Sequence, residues 1–295
     1  MVNKRESLSK QSDEEYPQGR VLWIILNEVL FDISNQLLTH GRIMFDDRIG
    51  SDRDEEKLEE ALKPFNVEVR IWKNFTKAEI LDALDQVKKE ANNNPTKFAG
   101  FVFLGMSHGF SRGKDYLITS NCKMLDLEYV SEKFHNCNCP GFKDKPKSFI
   151  YNICRGDTAN IELTKHLETS IETDNAMETI WMESDSTDAF NTTSLQRNGQ
   201  KYDEISFKKG DYLICHSTIT GYISNRHRRF GSPFIQELAA ALKRCEVQQY
   251  SDVEEMFRVV RSATAKHQNS GDNAPQLPEM VSTLRAKFIL PLKGK

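Results

Sequence analysis

The sequence predicts an α/β domain built on a mostly parallel, six-stranded sheet with helices on both faces. Two observations carry that prediction. Short apolar runs of strand length recur along the chain, and between several of them apolar residues fall at helical three- and four-residue spacing. Strands that need cover on both faces, joined by helices, form a parallel sheet whose crossovers place helices on each side.

The elements follow in order. Residues 20–26 form a continuous apolar run suited to a strand buried on both faces. Residues 53–65 read as an amphipathic helix, with Leu58, Leu62 and Phe65 on one face. A second strand is predicted at 67–72. Thr76 and Glu79 have the spacing of a capping box and open a helix to Lys89 that presents Ile80, Leu84 and Val87 together. Residues 98–105 give a third strand, 127–134 a short helix and 148–153 a fourth strand. A fifth strand is predicted at 211–216. Ser232 as N-cap and Pro233 at the first helical position start a helix to about Arg244. Ser251 and Glu254 cap another, reaching about His267, and 287–290 reads as the last strand.

Two regions break the pattern. Residues 1–17 are polar and are expected to form a flexible leader. Residues 157–209 are rich in Thr, Ser, Asn, Asp and Glu without periodicity, too long for structural filler in a domain. The 295 residues are 38% hydrophobic and 28% charged, with a formal net charge of −3. Such balance gives no general reason to expect nucleic acid or a membrane as partner. No apolar run reaches membrane-spanning length, and the polar start lacks the core of a signal peptide. The six cysteines then read as reduced thiols of a cytoplasmic protein. Their only tight cluster is His135-x-Cys137-x-Cys139. Zinc would need a fourth ligand and usually a wider loop, so an irregular loop ending at Pro140-Gly141 is the better reading, and no metal or cofactor is expected.

In parallel sheets, chemistry gathers at the carboxyl ends of strands. That rule selects His108-Gly109 after the third strand and Cys154-Arg155-Gly156 after the fourth. A catalytic cysteine needs a base to take its proton and N–H donors for the developing oxyanion. Alone, a histidine at a strand end is ordinarily a satisfied polar residue, and a cysteine after an apolar strand is ordinarily core. Set 46 residues apart, one strand–helix–strand unit, the two would lie side by side on adjacent parallel strands.

These segments resemble the caspase family of cysteine peptidases, whose signature is Q-A-C-x-G with a histidine about 50 residues upstream. The likeness extends further. Arg48-Ile-Gly-Ser-Asp52 resembles the family's R-x-G-[ST]-D segment. Ser217-Thr-Ile-Thr-Gly-Tyr222-Ile-Ser224-Asn225-Arg226 resembles its S-T-x-x-G-Y-x-S-x-R, and Gly231-Ser232-Pro233-Phe234 its G-S-W-[FY]. The matches cover about 19–292. They imply a caspase–hemoglobinase three-layer fold and an enzyme that cuts proteins after acidic residues. By the matched motifs, Cys154 attacks, His108 handles the proton, and the N–H groups of Gly109 and Cys154 hold the oxyanion. The carbonyl of Asp46 would orient the histidine. Arg48 and Arg226 would bind the carboxylate of the residue before the cut, with Asn152 as third contact and Ser224 and Asn225 beside them. Guanidinium forks suit that task, since they bond carboxylates bidentately. Read apart from the motif, Arg226-His227-Arg228-Arg229 is a basic run, too small a footprint for nucleic acid.

Three positions depart from the family. Asn152 replaces a Gln and is one methylene shorter, which predicts a relaxed choice between Asp and Glu. Ile153 replaces a small Ala, and Asn225 replaces an aromatic residue of the next subsite. The resemblance further implies a large-subunit region at 18–157, an intersubunit linker at 158–209 and a small-subunit region at 210–295. Within the linker, Asp174, Asp185 and Asp188 are candidate self-cleavage sites. By analogy the enzyme is a zymogen of the initiator type in apoptosis, because its pentapeptide departs as in an insect initiator and the leader resembles the stub of a removed recruitment domain. It would dimerise through the strand at 287–290 and meet an activating platform or adaptor and an inhibitor-of-apoptosis protein. The alternatives are an executioner caspase, a catalytically dead homologue serving as scaffold, and a paracaspase or metacaspase. The last pair cut after basic residues and would need acidic groups where Arg48 and Arg226 stand.

Overall fold

The computed structural model describes residues 14–32, 34, 45–156, 209–249, 251–269 and 275–294. The first apolar run forms β1 (Val21–Asn27), and the pattern then continues through α1 (Ser51–Leu62), β2 (Val67–Lys73), α2 (Lys77–Asn93) and β3 (Gly100–Met106). Three short strands follow, β4 (Gly109–Arg112), β5 (Lys114–Ile118) and β6 (Met124–Asp126), then α3 (Leu127–Glu132) and β7 (Lys147–Asn152). Beyond residue 208 come β8 (Tyr212–His216), α4 (Pro233–Gln248), α5 (Val253–Thr264) and β9 (Glu279–Ser282).

The main sheet has six strands in the order β2-β1-β3-β7-β8-β9. Every neighbouring pair is parallel except β8 and β9. Side chains alternate between its faces because successive Cβ atoms of a strand point opposite ways. Val21, Trp23 and Ile25 pack with Leu58 and Leu62 of α1 and with Phe234, Leu238, Phe257 and Val260 of α4 and α5. Leu22, Ile24 and Leu26 pack on the other face with Ile80, Leu84 and Val87 of α2 and Val130 of α3. β1 and β3 are therefore apolar at nearly every position, and the residues on either side of 157–208 share one sheet.

Several predicted details are corrected. The last strand of the sheet is β9, not 287–290. Lys287 and Ile289 instead make isolated bridges to Glu15 and Asp252. Ser251 does not cap α5, since its hydroxyl goes to the Leu290 carbonyl and Asp252 accepts from the Glu254 N–H at 3.1 Å. Ser232 stands at the N-cap of α4 but makes no side-chain cap bond, because its hydroxyl donates to Asp54 Oδ2 at 2.7 Å. The predicted capping box of α2 forms, with Thr76 N–H donating to Glu79 Oε2 at 2.8 Å. The antiparallel sheet of β4, β5 and β6 escaped prediction because its strands are only four, five and three residues long.

Just beyond β1, Glu28 is fully buried and neither carboxylate oxygen makes a hydrogen bond. The N–H groups of Phe75 and Ser120 lie nearby, but that of Ser120 already donates to the Phe75 carbonyl. Burial pushes the Glu28 carboxyl up to about 8. The folded state thus retains a proton that the unfolded chain releases near 4.5, so Glu28 erodes stability as pH rises through that window. Glu28→Gln, neutral throughout, is expected to flatten this slope. Its urea midpoint should exceed the parent's at pH 8 by more than at pH 5, a gap worth on the order of 1–3 kcal/mol.

Candidate active site

The register of β3 and β7 pairs Met106 with Asn152. His108 and Cys154 each lie two residues farther on, past the carboxyl ends of these adjacent strands. The turn after β3 is held by Ser107 N–H donating to the Asn152 carbonyl at 3.4 Å and by Ile118 N–H donating to the His108 carbonyl at 3.0 Å. His108 packs against both Phe31 and Phe45, with ring centroids 4.9 and 5.5 Å away. Its Nε2 lies 2.7 Å from the Asp46 carbonyl oxygen. A carbonyl only accepts, so Nε2 carries the hydrogen and Nδ1 is left as the basic nitrogen of the neutral ring. Burial lowers the imidazole to about 4, the cations of Arg48 and Arg226 push the same way, and the Asp46 carbonyl opposes them. The ring is therefore uncharged at neutral pH and able to take a proton.

Gly109 opens β4 in a place with no room for a side chain. An added Cβ would stand 2.5 Å from the Tyr116 carbonyl oxygen and 2.8 Å from Ile153 Cβ. The Ile153 side chain, buried at 1% exposure, thus packs directly against the glycine. Cys154 is partly exposed, and its Sγ lies 3.4 Å from Ser224 N and 3.8 Å from Ser224 O. Next to it Arg155 is clamped. Its Nε and Nη2 donate to Asp115 of β5 at 3.0 and 2.9 Å, and its Nη1 donates to Glu279 of β9 at 2.5 Å and to the Thr218 carbonyl at 3.1 Å. The nucleophile segment is thereby tied to both the small sheet and the edge of the large one.

Arg48 is 2% exposed. Its Nη1 donates to the Glu28 carbonyl at 2.8 Å and Ser51 Oγ at 2.9 Å, while its Nε has no partner. Burial lowers its guanidinium to about 9, and the nearby Arg226 adds to the effect. Arg226 is half-buried, with Nε donating to the Ile49 carbonyl at 3.3 Å, and burial lowers it too. Neither arginine forms an ion pair among the described residues, and each interacts electrostatically with Cys154 and Asp54. Asp54 is engaged elsewhere. Its carboxylate accepts from Ser232 N and Oγ at 2.8 and 2.7 Å, and burial raises it to about 6. Gly231 adopts φ 86°, and a Cβ there would stand 2.1 Å from Asp54 Oδ1, so only glycine lets the chain close over this carboxylate.

Asn152 is buried, with Nδ2 donating to Ser232 Oγ at 3.0 Å and Oδ1 accepting from Ser224 Oγ at 2.8 Å. One of its two N–H hydrogens thus remains for another acceptor. Asn225 N–H donates to Gln276 Oε1 at 2.9 Å. The structure brings His108, Gly109, Asn152, Cys154, Ser224, Arg48 and Arg226 into one region, with Asn225 beside them. Asp174, Asp185 and Asp188 lie outside the described residues, as do most of the leader and the linker. Asp54, Asp115 and Gln276 belong to this region without having been singled out. Asp54 reads as an ordinary first-turn helix acid, and nothing in the local pattern marks the other two. The 135–139 segment is a turn, with the His135 carbonyl accepting from Asn138 and Cys139 N–H groups. Among the described residues no three His, Cys, Asp or Glu side chains are grouped to hold a metal. No described helix is long and apolar enough to cross a membrane.

The caspase domain model (peptidase C14) matches residues 35–289. The chain belongs to the caspase family. Caspase-14 of Mus musculus is 29% identical over 270 residues, covering 90% of this chain and 96% of its own. Caspase-3 of Mesocricetus auratus is 28% identical over 233 residues, covering 78% of this chain and 67% of its own. The crystal structure of caspase-1 from Spodoptera frugiperda superposes with a TM-score of 0.66 at 20% identity, over 94% of this chain and 91% of that one, a likeness of fold. This caspase is therefore a cysteine endopeptidase acting on proteins, on the three-layer frame described above.

Proposed function

We propose that this caspase cleaves proteins after Asp and Glu, with Cys154 as nucleophile and His108 as general base and acid. The observation that supports it best is the pair Arg48 and Arg226, two desolvated guanidinium groups beside Cys154 with no ion-pair partner among the described residues. A substrate carboxylate gives both guanidinium groups a direct partner, and charge-assisted bonds are strongest where water is excluded. Once seated, it offsets the arginines' effect on His108, so the imidazolium is easier to form when the right residue is bound.

The reaction then runs through these groups. The Cys154 thiol gives its proton to His108 Nδ1 as sulfur bonds to the scissile carbonyl carbon. The oxygen's negative charge is met by the N–H groups of Gly109 and Cys154. His108 returns the proton to the leaving amine as the C–N bond breaks, leaving an acyl-enzyme. Water, deprotonated by the same ring, releases the new carboxyl terminus.

Asn152 is drawn toward Ser232 and Ser224, which favours a pocket deep enough for either acid. Paired peptides differing only in Asp or Glu at the cleavage position are expected to differ in kcat/KM by less than roughly a hundredfold. A preference for Asp above roughly a thousandfold would overturn the relaxed choice. A peptide with Lys at that position is expected to be inert.

For organisation and regulation, the proposal takes 18–157 and 210–295 as large- and small-subunit regions, with a linker at 158–209 cut at Asp174, Asp185 or Asp188. It makes the enzyme an initiator of apoptotic signalling, activated by dimerisation and linker cleavage in the cytoplasm. An adaptor and an inhibitor-of-apoptosis protein remain its expected partners. The dimer contact is reassigned to β9. That strand is one of the two outer strands of the described sheet, and its Val281 is 55% exposed.

A further inference from the structure

Gln276 comes just before β9 and is buried at 2% exposure. Its carboxamide is fully used. Oε1 accepts from Asn225 N–H at 2.9 Å, and Nε2 donates to the Ser217 carbonyl at 2.9 Å and to Ser224 Oγ at 3.3 Å. One side chain therefore bridges the exit of β8, at Ser217, and the wall segment, at Ser224 and Asn225.

That wall faces the cysteine, since Ser224 N–H lies 3.4 Å from Cys154 Sγ. Ser224 Oγ also donates to Asn152 Oδ1 at 2.8 Å, and Ser217 Oγ donates to Ser224 Oγ at 2.9 Å, with the Ile153 carbonyl 3.3 Å from the same hydroxyl. The segment from Gly221 to Arg226 has no helix or strand to hold it. Backbone bonds pin its start, Gly221 N–H donating to the Arg155 carbonyl at 2.8 Å and Arg155 N–H to the Tyr222 carbonyl at 2.9 Å. At Ser224 and Asn225 the position over the sulfur rests on side-chain bonds, and buried networks of this kind fix one geometry only when every member is satisfied.

We propose that Gln276 is a positioning residue for the peptidase reaction, fixing Ser224 and Asn225 so that Ser224 N–H meets the Cys154 sulfur. The inference deepens the reading of Cys154 as nucleophile and rests on it. Without the carboxamide, Asn225 N–H loses this acceptor and Ser224 Oγ is left to its bonds with Ser217 and Asn152. The wall then drifts, and the sulfur is no longer held in one orientation.

The test uses the full chain with Gln276→Met, which keeps the length and loses the hydrogen bonds, and Gln276→Glu, which keeps an acceptor for Asn225. Two quantities are read: kcat and KM on an acidic peptide, and the rate at which iodoacetamide labels Cys154, followed by peptide mass. The reagent is neutral and needs no arginine pocket, and exposed Cys137 serves as internal control. Q276M is expected to lower kcat about 10–100-fold, more than it raises KM, and to slow Cys154 labelling about tenfold with Cys137 unchanged. Q276E should recover part of both. Labelling of Cys154 within about twofold of the parent, or a loss confined to KM, would overturn the proposal. Should Q276M not fold, Q276E is judged by the same two criteria. Cys154→Ala separates the two claims: full activity in that variant would defeat the nucleophile reading, whatever the Gln276 variants show.

Discussion

Replacing Cys154 with alanine is expected to lower kcat/KM on an acidic peptide by about 10⁴-fold or more, the loss that follows removal of an attacking group. The sulfur is partly exposed, so the thermal midpoint should move by no more than about 2 °C. His108→Ala should cost a similar factor, and the double variant should be scarcely worse than either single one. A nucleophile and its base act as a unit, and once one is gone the other has nothing to do. A Cys154→Ala protein retaining a tenth of the parent's rate would remove this cysteine from the chemistry. Independent, multiplying losses in the double variant would instead separate His108 from it.

The second large effect concerns Arg48, where activity and stability should part company. Arg48→Met is expected to reduce kcat/KM on Asp and Glu peptides by about 10³-fold, since a desolvated carboxylate would lose a charge-assisted partner. Stability should hold or rise. No carboxylate among the described residues pairs with this buried cation, so relief of its desolvation cost offsets the loss of its bonds to the Glu28 carbonyl and Ser51 Oγ. The same variant should raise the imidazole of His108 above its depressed value, because Arg48 is one of the two cations holding it down. Nuclear magnetic resonance titration of the ring measures that shift directly. A variant that loses activity and unfolds together, with the His108 titration unmoved, would mark Arg48 as a structural pin.

Hydrophobic period and strand ends carry the legible part of this fold. The apolar runs at β1, β3 and β7 are buried along their whole length, which is why they read as strands without alternation. The parallel pairing of β3 with β7 turns a spacing of 46 residues into neighbouring loops. Local pattern failed where a side chain had a stronger distant partner. Ser232 looks like a helix cap, but Asp54 lies 178 positions away in sequence and takes its hydroxyl. Ser251 likewise gives its hydroxyl to Leu290 and leaves the capping to Asp252.

The last strand shows a different limit. The stretch at 287–290 is the more apolar one, yet β9 at 279–282 completes the sheet, its exposed Val281 and half-buried neighbours suiting an edge rather than an interior. Gln276 and Asp115 are legible only in three dimensions. Each matters for what it bonds across the fold, and a lone glutamine or aspartate near a strand carries no periodic mark. The arginines are a middle case. Their residue types suit a carboxylate, but their lack of ion pairs among the described residues emerges only when their neighbours are placed.

The central claim, a Cys154 nucleophile serving an acid-selective pocket, is tested most directly by covalent trapping. The protein is treated with two peptide chloromethyl ketones, alike except for Asp or Lys at the position preceding the warhead, and then digested and weighed. The account predicts one adduct with the Asp reagent, on the peptide carrying Cys154, and none with the Lys reagent. It also predicts that Arg48→Met largely abolishes the adduct. Label on another cysteine, or equal labelling of Cys154 by the Asp and Lys reagents, would contradict it.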